Sequence, residues 1–263
     1  MAEYRNVRDA DLLADRGLFM AEGRLVVRAL LLQSTLRSRS VLVTESALES
    51  VRDALEASPA APPVLLASQE VMNTVVGFDI HRGCLAVGER PPAVSVGSIL
   101  TRCAGANRDA CGVVALENLT NHDNVGGIFR GAIALGASAV LLSPGCCDPL
   151  YRKSIRVSMG AALRLPYATV ADWPTGLGAL KETGFTVAAL ATGAGAVDLD
   201  GFAARADRPR RIALLVGTEG GGLSPGALAS ADVVLRIGMS RGVDSLNAGV
   251  AAAVAMHRLF PVG

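Results

Sequence analysis

From Val113 onward, short apolar runs alternate with stretches of helical spacing, and that alternation is what most limits the fold. Strands are expected at 113–118, 139–143, 186–191, 212–217 and 233–237. Helices are expected at 125–135, 173–183 and 246–260. A repeated strand–helix order implies an α/β domain with a mostly parallel sheet and helices on both faces. Ligands in such sheets bind at the carboxyl ends of the strands. Three strand-to-helix junctions therefore carry the functional question.

Upstream, to about Arg90, the same signals describe a smaller α/β segment. Helical spacing covers 22–33, and strands are expected at 41–45 and 64–68 with an amphipathic helix between them. A further helix then precedes the strand CLAVGER. Ser46 and Glu49 stand at capping-box spacing for the intervening helix. Pro91 and Pro92 break the pattern, and 93–110 reads as a linker with room for one short helix at SVGSILTRCA. The expected division is 1–92, 93–110 and 111–263.

The length, 263 residues, suits two modest domains, and with 51% hydrophobic and 19% charged residues the chain is expected to fold. No apolar run approaches the roughly 18 to 20 residues that span a bilayer. The charged N-terminus lacks the apolar centre of a secretory signal, so a soluble, cytoplasmic protein is expected. Cys84, Cys103, Cys111, Cys146 and Cys147 form no CxxC pair and have no histidine at metal spacing. No metal is expected, and an odd count with a vicinal pair fits a reducing compartment. A formal net charge of +1 means that any nucleic-acid contact must come from a local patch.

The first junction, NLTNHDNVGGIFRGAIALGA, runs from Asn118 to Ala137. Asn124 or Asp123 can cap the helix that Val125 opens. Gly126 and Gly127 each cost about 1 kcal/mol against Ala, so a need for close backbone approach is expected there. Arg130 follows Asn124 by six residues; its plainest reading is a snorkelling side chain. The second junction, LLVGTEGGGLSPGAL, leads an apolar strand into Gly217, Glu219, Gly220, Gly221 and Gly222. It lacks the GxxxxGK[ST] of a phosphate loop and the GxGxxG of a dinucleotide fold. A carboxylate there suits a ligand with cationic or hydroxyl character better than a phosphate. The third, IGMSRGVDSLNAGVAAAVAMHRL, passes through Gly242 to Ser245, Leu246 and Asn247 and into an Ala-rich helix. Asp244 or Ser245 as a plain N-cap is the alternative reading there. The Ala face allows close helix packing, within the chain or across a dimer.

Together the pattern N-x-G-x-x-x-R, then G-x-E-G-x-G-L-S, then I-x-M-x-x-x-x-x-S-L-N resembles the signature motifs of the SpoU (TrmH-type) RNA 2′-O-methyltransferases of the SPOUT superfamily. They are carried here by Asn124, Gly126 and Arg130; by Gly217, Glu219, Gly220, Gly222 and Leu223; and by Ile237, Met239, Ser245, Leu246 and Asn247. KSIRVSMGA resembles a further family stretch, and FMAEGRLVVRALL with GFDIHRGCLAVGER is similar to the family's L30e-like substrate-binding domain. The resemblance implies a C-terminal trefoil knot, an exception to the rule that chains do not thread loops. It also implies a homodimer and S-adenosylmethionine held by Thr192, Leu215, Gly217, Thr218, Gly220, Gly222, Ile237, Met239, Ser245 and Leu246. Arg130, with Asn124, Glu219, Ser245 and Asn247, is implied as the catalytic set acting on an RNA ribose, ribosomal RNA ahead of transfer RNA.

Arginine has five donors and no acceptor, so Arg130 is a poor base and a better clamp on phosphate and on developing alkoxide charge. Glu219 is the alternative proton acceptor. Arg152, Lys153 and Arg156, beside Tyr151, form a basic cluster suited to RNA phosphates. Arg5, Arg8, Arg24, Arg28, Arg37 and Arg39 are further candidates. His81 and His122 have no evident partner, and His257 reads as a helix residue. A catalytically inert RNA-binding module is the rival from another class, with the full polar set arguing against it.

Overall fold

The computed structural model describes residues 3–5, 9–77, 83–105, 110–193, 195–243 and 245–260, so Arg8, His81, Asp109 and Asp244 lie outside the described residues. The chain divides into two units: Met1–Pro92 with Asp148–Arg164, and Ala93–Cys147 with Leu165–Gly263.

The first unit opens with α1 (Asp9–Asp15), β1 (Leu18–Glu22), α2 (Arg24–Gln33), β2 (Ser38–Val43), α3 (Glu45–Leu48) and α4 (Arg52–Ala57). It continues with β3 (Val64–Leu66), α5 (Gln69–Val76) and β4 (Cys84–Glu89). The sheet order is β1-β4-β2-β3, with β4 antiparallel to both neighbours and β2 parallel to β3. Every residue of β1 is buried, so it shows no alternation, and periodicity does not announce it. The helix expected between the strands is two short ones. Thr44, not Ser46, caps α3 by accepting from the Ala47 N–H, and Glu49 pairs with Arg52 instead of closing a capping box. Tyr4, Leu12, Met20, Leu42, Met72 and Leu85 share the core of this unit. Burial pushes the Tyr4 hydroxyl well above its ordinary range, although it bonds Ser40 Oγ at 2.9 Å.

The second unit begins with α6 (Val96–Gly105), β5 (Cys111–Leu116), α7 (His122–Ala134) and β6 (Ala137–Leu142). The chain then gives α8 (Arg152–Val157) to the first unit and returns. There follow β7 (Tyr167–Thr169), α9 (Gly178–Glu182), β8 (Thr186–Leu190), β9 (Val197–Asp198), α10 (Leu199–Ala203) and β10 (Arg211–Val216). The last elements are α11 (Pro225–Ala229), β11 (Val233–Arg236) and α12 (Ala248–Leu259). The seven strands run parallel in the order β7-β6-β5-β10-β8-β11-β9. Thus β10 is inserted between β5 and β8, and β11 between β8 and β9. All five strands expected here are present, with bounds that differ from the expected ones by no more than two residues. The strands β7 and β9 are too short for any periodicity to announce them.

Part of the expected linker 93–110 is core. Ile99, Leu100 and Cys103 of α6 pack with Val113, Ala139, Val187 and Ala213 on one side of the sheet. The helix expected at 173–183 is shorter, a 3-10 turn (Thr175–Leu177) leading into α9, because Pro174, Gly176 and Gly178 interrupt it.

The excursion Asp148–Arg164 differs most from the single run expected for 111–263. Leu150, Ile155 and Leu163 are buried within the first unit. Gly160 turns the chain at φ 81°, and a Cβ there would stand 2.9 Å from that of Ala29 on α2. Ser34 Oγ donates to the Leu163 carbonyl at 2.8 Å, and Arg90 pairs with Asp148. A sequence-local reading assigns this segment to the sheet that flanks it, because nothing local marks a return to the earlier unit.

All five cysteines are free. Burial raises the Cys84 thiol to about 12, and a hydrogen bond with Cys111, then burial, raises Cys103. Neither suits thiolate chemistry. Among the described residues no group of side chains is arranged to hold a metal, and no helix is long and apolar enough to cross a membrane.

Candidate active site

The carboxyl ends of β8, β10 and β11 open on a cavity of about 410 Å³, within the range of small-molecule sites. Its main wall is the loop after Val216. A Cβ on Gly217 would lie 2.3 Å from the carbonyl of Gly222 and 2.6 Å from the Leu223 nitrogen, all backbone atoms that cannot give way. The loop therefore doubles back tightly, closed by the Gly222 N–H donating to Thr218 O at 2.9 Å. Glycine at 217 is needed for this closure, whereas a Cβ at Gly220 would meet nothing.

Of the residues expected to hold a donor, Thr192, Gly217, Thr218, Gly220, Gly222, Ile237, Met239, Ser245 and Leu246 line this cavity, as does Glu219. Leu215 lies deeper, fully buried in the sheet core. The lining combines apolar residues, Leu190, Ile237 and Leu246 among them, with the glycine loop and the acidic Glu219. That set fits a ligand combining a flat, hydrogen-bonding ring with a cationic centre, as S-adenosylmethionine does.

The three junctions meet beside the cavity. Asn247 Nδ2 donates to Asn124 Oδ1 at 2.8 Å and to Glu219 Oε1 at 2.6 Å. Its Oδ1 accepts from the N–H groups of Gly249 and Val250, which makes Asn247 the N-cap of α12. Ser245, a candidate for that cap, is exposed and lines the cavity instead. The cap of α7 also differs from the expected Asn124 or Asp123. Asn121 takes it, accepting from the Asp123 N–H, and Asn124 is carried inside the helix, where it is 6% exposed and free to receive Asn247.

Arg130 stands apart from this trio. Six residues at about 100° each turn it roughly 240° around α7 from Asn124. Its side chain is exposed and makes no hydrogen bond or ion pair among the described residues.

Residues 112–257 match the model of the SpoU rRNA methylase family. The chain belongs to that family. It is an RNA methyltransferase dependent on S-adenosylmethionine. A protein of Mycobacterium bovis named as an uncharacterized tRNA/rRNA methyltransferase is 44% identical over 250 residues, covering 95% of this chain and 83% of its own. The 23S rRNA (guanosine-2′-O-)-methyltransferase RlmB of Ralstonia nicotianae is 29% identical over 207 residues, or 78% of this chain and 80% of that protein. Among solved structures, the AdoMet-bound rRNA methyltransferase of Sinorhizobium meliloti superposes with a TM-score of 0.76 at 25% identity. That match covers 94% of this chain and 88% of the other.

Within this SpoU chain, the basic residues expected to grip RNA are not all unengaged. Arg152 and Arg156 both approach Glu22, at 3.8 and 3.4 Å, and α8 carries them in the first unit. Arg28 pairs with Asp53, Arg37 with Glu89 and Arg39 with Glu3. Lys153 follows Arg152 in the first turn of the same short helix. One functional-looking residue escapes a reading of the sequence: Glu117, at the end of β5, with a carboxylate 2% exposed. The only local signal for it is a charge closing the apolar run VVAL.

Proposed function

We propose that this chain transfers a methyl group from S-adenosylmethionine to a ribose 2′-hydroxyl of RNA, ribosomal RNA in preference to transfer RNA. The observation that carries the reading is the junction of Asn124, Glu219 and Asn247, one residue from each motif, at the edge of a cavity lined by nine of the expected donor residues. The relative RlmB, named for guanosine 2′-O-methylation of 23S rRNA, supports the ribose and the ribosomal substrate.

The bound donor supplies an activated methyl group. The glycine loop and Leu246 would hold it, and Glu219 would offset its positive charge. Asn247 fixes Glu219 and Asn124 by donating to both. Arg130, exposed and uncommitted, clamps the phosphate beside the target ribose and stabilises charge developing on the 2′-oxygen. Placing that oxygen within about 3 Å of the methyl carbon is the chain's main contribution.

The first unit, with its L30e-like sequence, serves as the RNA-gripping part, and Arg152, Lys153 and Arg156 contribute there. The interleaved positions of β10 and β11 support a trefoil knot in the second unit. Leu246, Val250 and Val254 form an exposed apolar stripe leading along α12, which supports a homodimer built on that helix. The cytoplasm is the expected compartment.

The test is transfer of label from S-adenosylmethionine into total RNA by wild type and Arg130→Ala, followed by mapping of 2′-O-methyl sites. Label at one ribose, lost in the variant, is the expected result. Absence of donor binding would favour an inert RNA-binding module instead, whereas donor binding without transfer would mean that the RNA offered was the wrong one or already modified.

A further inference from the structure

Glu117, outside the three motifs, is a nearly fully buried carboxylate with three donors aimed at it. Its Oε1 accepts from Trp173 Nε1 at 2.6 Å and from Ser224 Oγ at 2.7 Å, and its Oε2 accepts from the Ser224 N–H at 2.7 Å. Its own backbone N–H donates to the Val216 carbonyl at 2.9 Å. Val216 and Ser224 are the residues on either side of the loop 217–223. One residue therefore grips both ends of the loop that walls the cavity and carries Glu219.

A buried carboxylate costs stability unless its lone pairs are met, and an apolar contact would close the same gap more cheaply. The charge is instead directed at main-chain and side-chain groups of Ser224, which also caps α11 by accepting from the Ala227 N–H at 3.2 Å. Moving Ser224 would shift the loop's exit and the start of α11 together. Gly217 sets how tightly the loop doubles back, and Glu117 sets where its two ends stand.

We propose that Glu117 is a positioning residue that holds the 217–223 loop in the form that receives the donor. The inference rests on the reading of the cavity as the S-adenosylmethionine site. Glu117→Gln preserves size but puts an NH₂ where one oxygen was. Whichever way the amide turns, a donor then faces either the Ser224 N–H or the pair formed by Trp173 Nε1 and Ser224 Oγ.

The experiment is calorimetric titration of S-adenosylmethionine into full-length wild type, Glu117→Gln and Ser224→Ala, in the absence of RNA. Expected for Glu117→Gln is a dissociation constant raised about 10- to 100-fold, the range for loss of a charge-assisted hydrogen bond. Stoichiometry should stay at the wild-type value, because a merely unfolded fraction would lower the number of sites and leave the affinity of the rest unchanged. Ser224→Ala, which loses the Oγ bond to Glu117 and the α11 cap but keeps the N–H bond to Oε2, is expected to fall between the two and serves alone if Glu117→Gln does not fold. Trp173 is the only tryptophan in the chain, so its emission in the donor-free protein reports directly on the bond to Glu117 and should shift in Glu117→Gln. Wild-type affinity in the variants, with wild type itself binding donor, would overturn the role of Glu117 and leave the cavity reading intact. No binding by wild type would overturn both.

Discussion

Asn247→Asp tests the meeting of the three motifs while leaving most of the surrounding structure alone. The aspartate keeps the oxygen that accepts from Gly249 and Val250, so the cap of α12 survives, and a negative charge at that helix end adds under about 1 kcal/mol. What changes is the other half of the side chain. An oxygen replaces the NH₂ now 2.6 Å from Glu219 Oε1 and 2.8 Å from Asn124 Oδ1. Loss of the bond to a carboxylate costs about 1.5 kcal/mol, taken at the low end because the site is open to water. Loss of the bond to Asn124 costs about 1 kcal/mol. Two carboxylates about 4 Å apart in a nearly aqueous dielectric repel by about 1 kcal/mol. The net is about 3 kcal/mol of lost stability, or roughly 6 to 12 °C in Tm for a unit of this size. Urea unfolding followed by Trp173 emission measures it, since that residue lies in the same unit. Adding Glu219→Gln should then recover about 2 kcal/mol, because the new amide can donate to the introduced carboxylate in the reverse sense. If the two substitutions add within about 0.5 kcal/mol, the side chains are not in contact in solution and the argument from the three motifs falls.

Gly217→Ala should weaken S-adenosylmethionine binding at least about 10-fold and lower stability by about 1–3 kcal/mol, since its Cβ meets only backbone. Unchanged affinity by calorimetry would show that the loop is not closed as described. Glu22→Gln should loosen Arg152 and Arg156 and speed limited proteolysis within 148–164 severalfold, and an unchanged digestion pattern would show that the ion pairs do not hold the segment. For Asp232, burial opposes the charged form, but Lys181 and the Val187 N–H outweigh it and hold the carboxyl below its ordinary range. Its contribution is therefore present above the unfolded value near 3.9 and is lost as pH falls through the lower folded value. Asp232→Asn should flatten the acid limb of a stability–pH curve there by less than about 1 kcal/mol, as the pair is partly exposed. An identical limb in the variant would contradict this.

The candidate site was legible because glycine spacing, strand ends and polar motif residues all fall within short windows. Gly217, Glu219, Ser245, Leu246 and Asn247 could be read in place, and the structure brings the first four to one cavity with Asn247 bonded to Glu219 beside it. What the windows could not give was partnership. Which of Asn121, Asp123 and Asn124 caps α7 depends on where the chain bends and on Asn247, 123 residues away from Asn124. Glu117 looked like an ordinary strand end because its partners, Trp173 and Ser224, lie 56 and 107 residues on. Strand β1 was hidden by burial on both faces, and β7 and β9 by their brevity. The membership of 148–164 is likewise a long-range fact, settled by Gly160 against Ala29 and by Ser34 against Leu163.

That last segment constrains the order in which the protein can mature during synthesis. Nascent chains generally fold from the N-terminus, one unit at a time. Here the first 92 residues emerge without the piece that buries Leu150, Ile155 and Leu163 among them, and they must wait for it. By then β5, α7 and β6 have already left the ribosome, while β8 and β10 have not. The early unit is thus completed by a late arrival, and the nascent protein passes through an interval in which neither half can be finished alone.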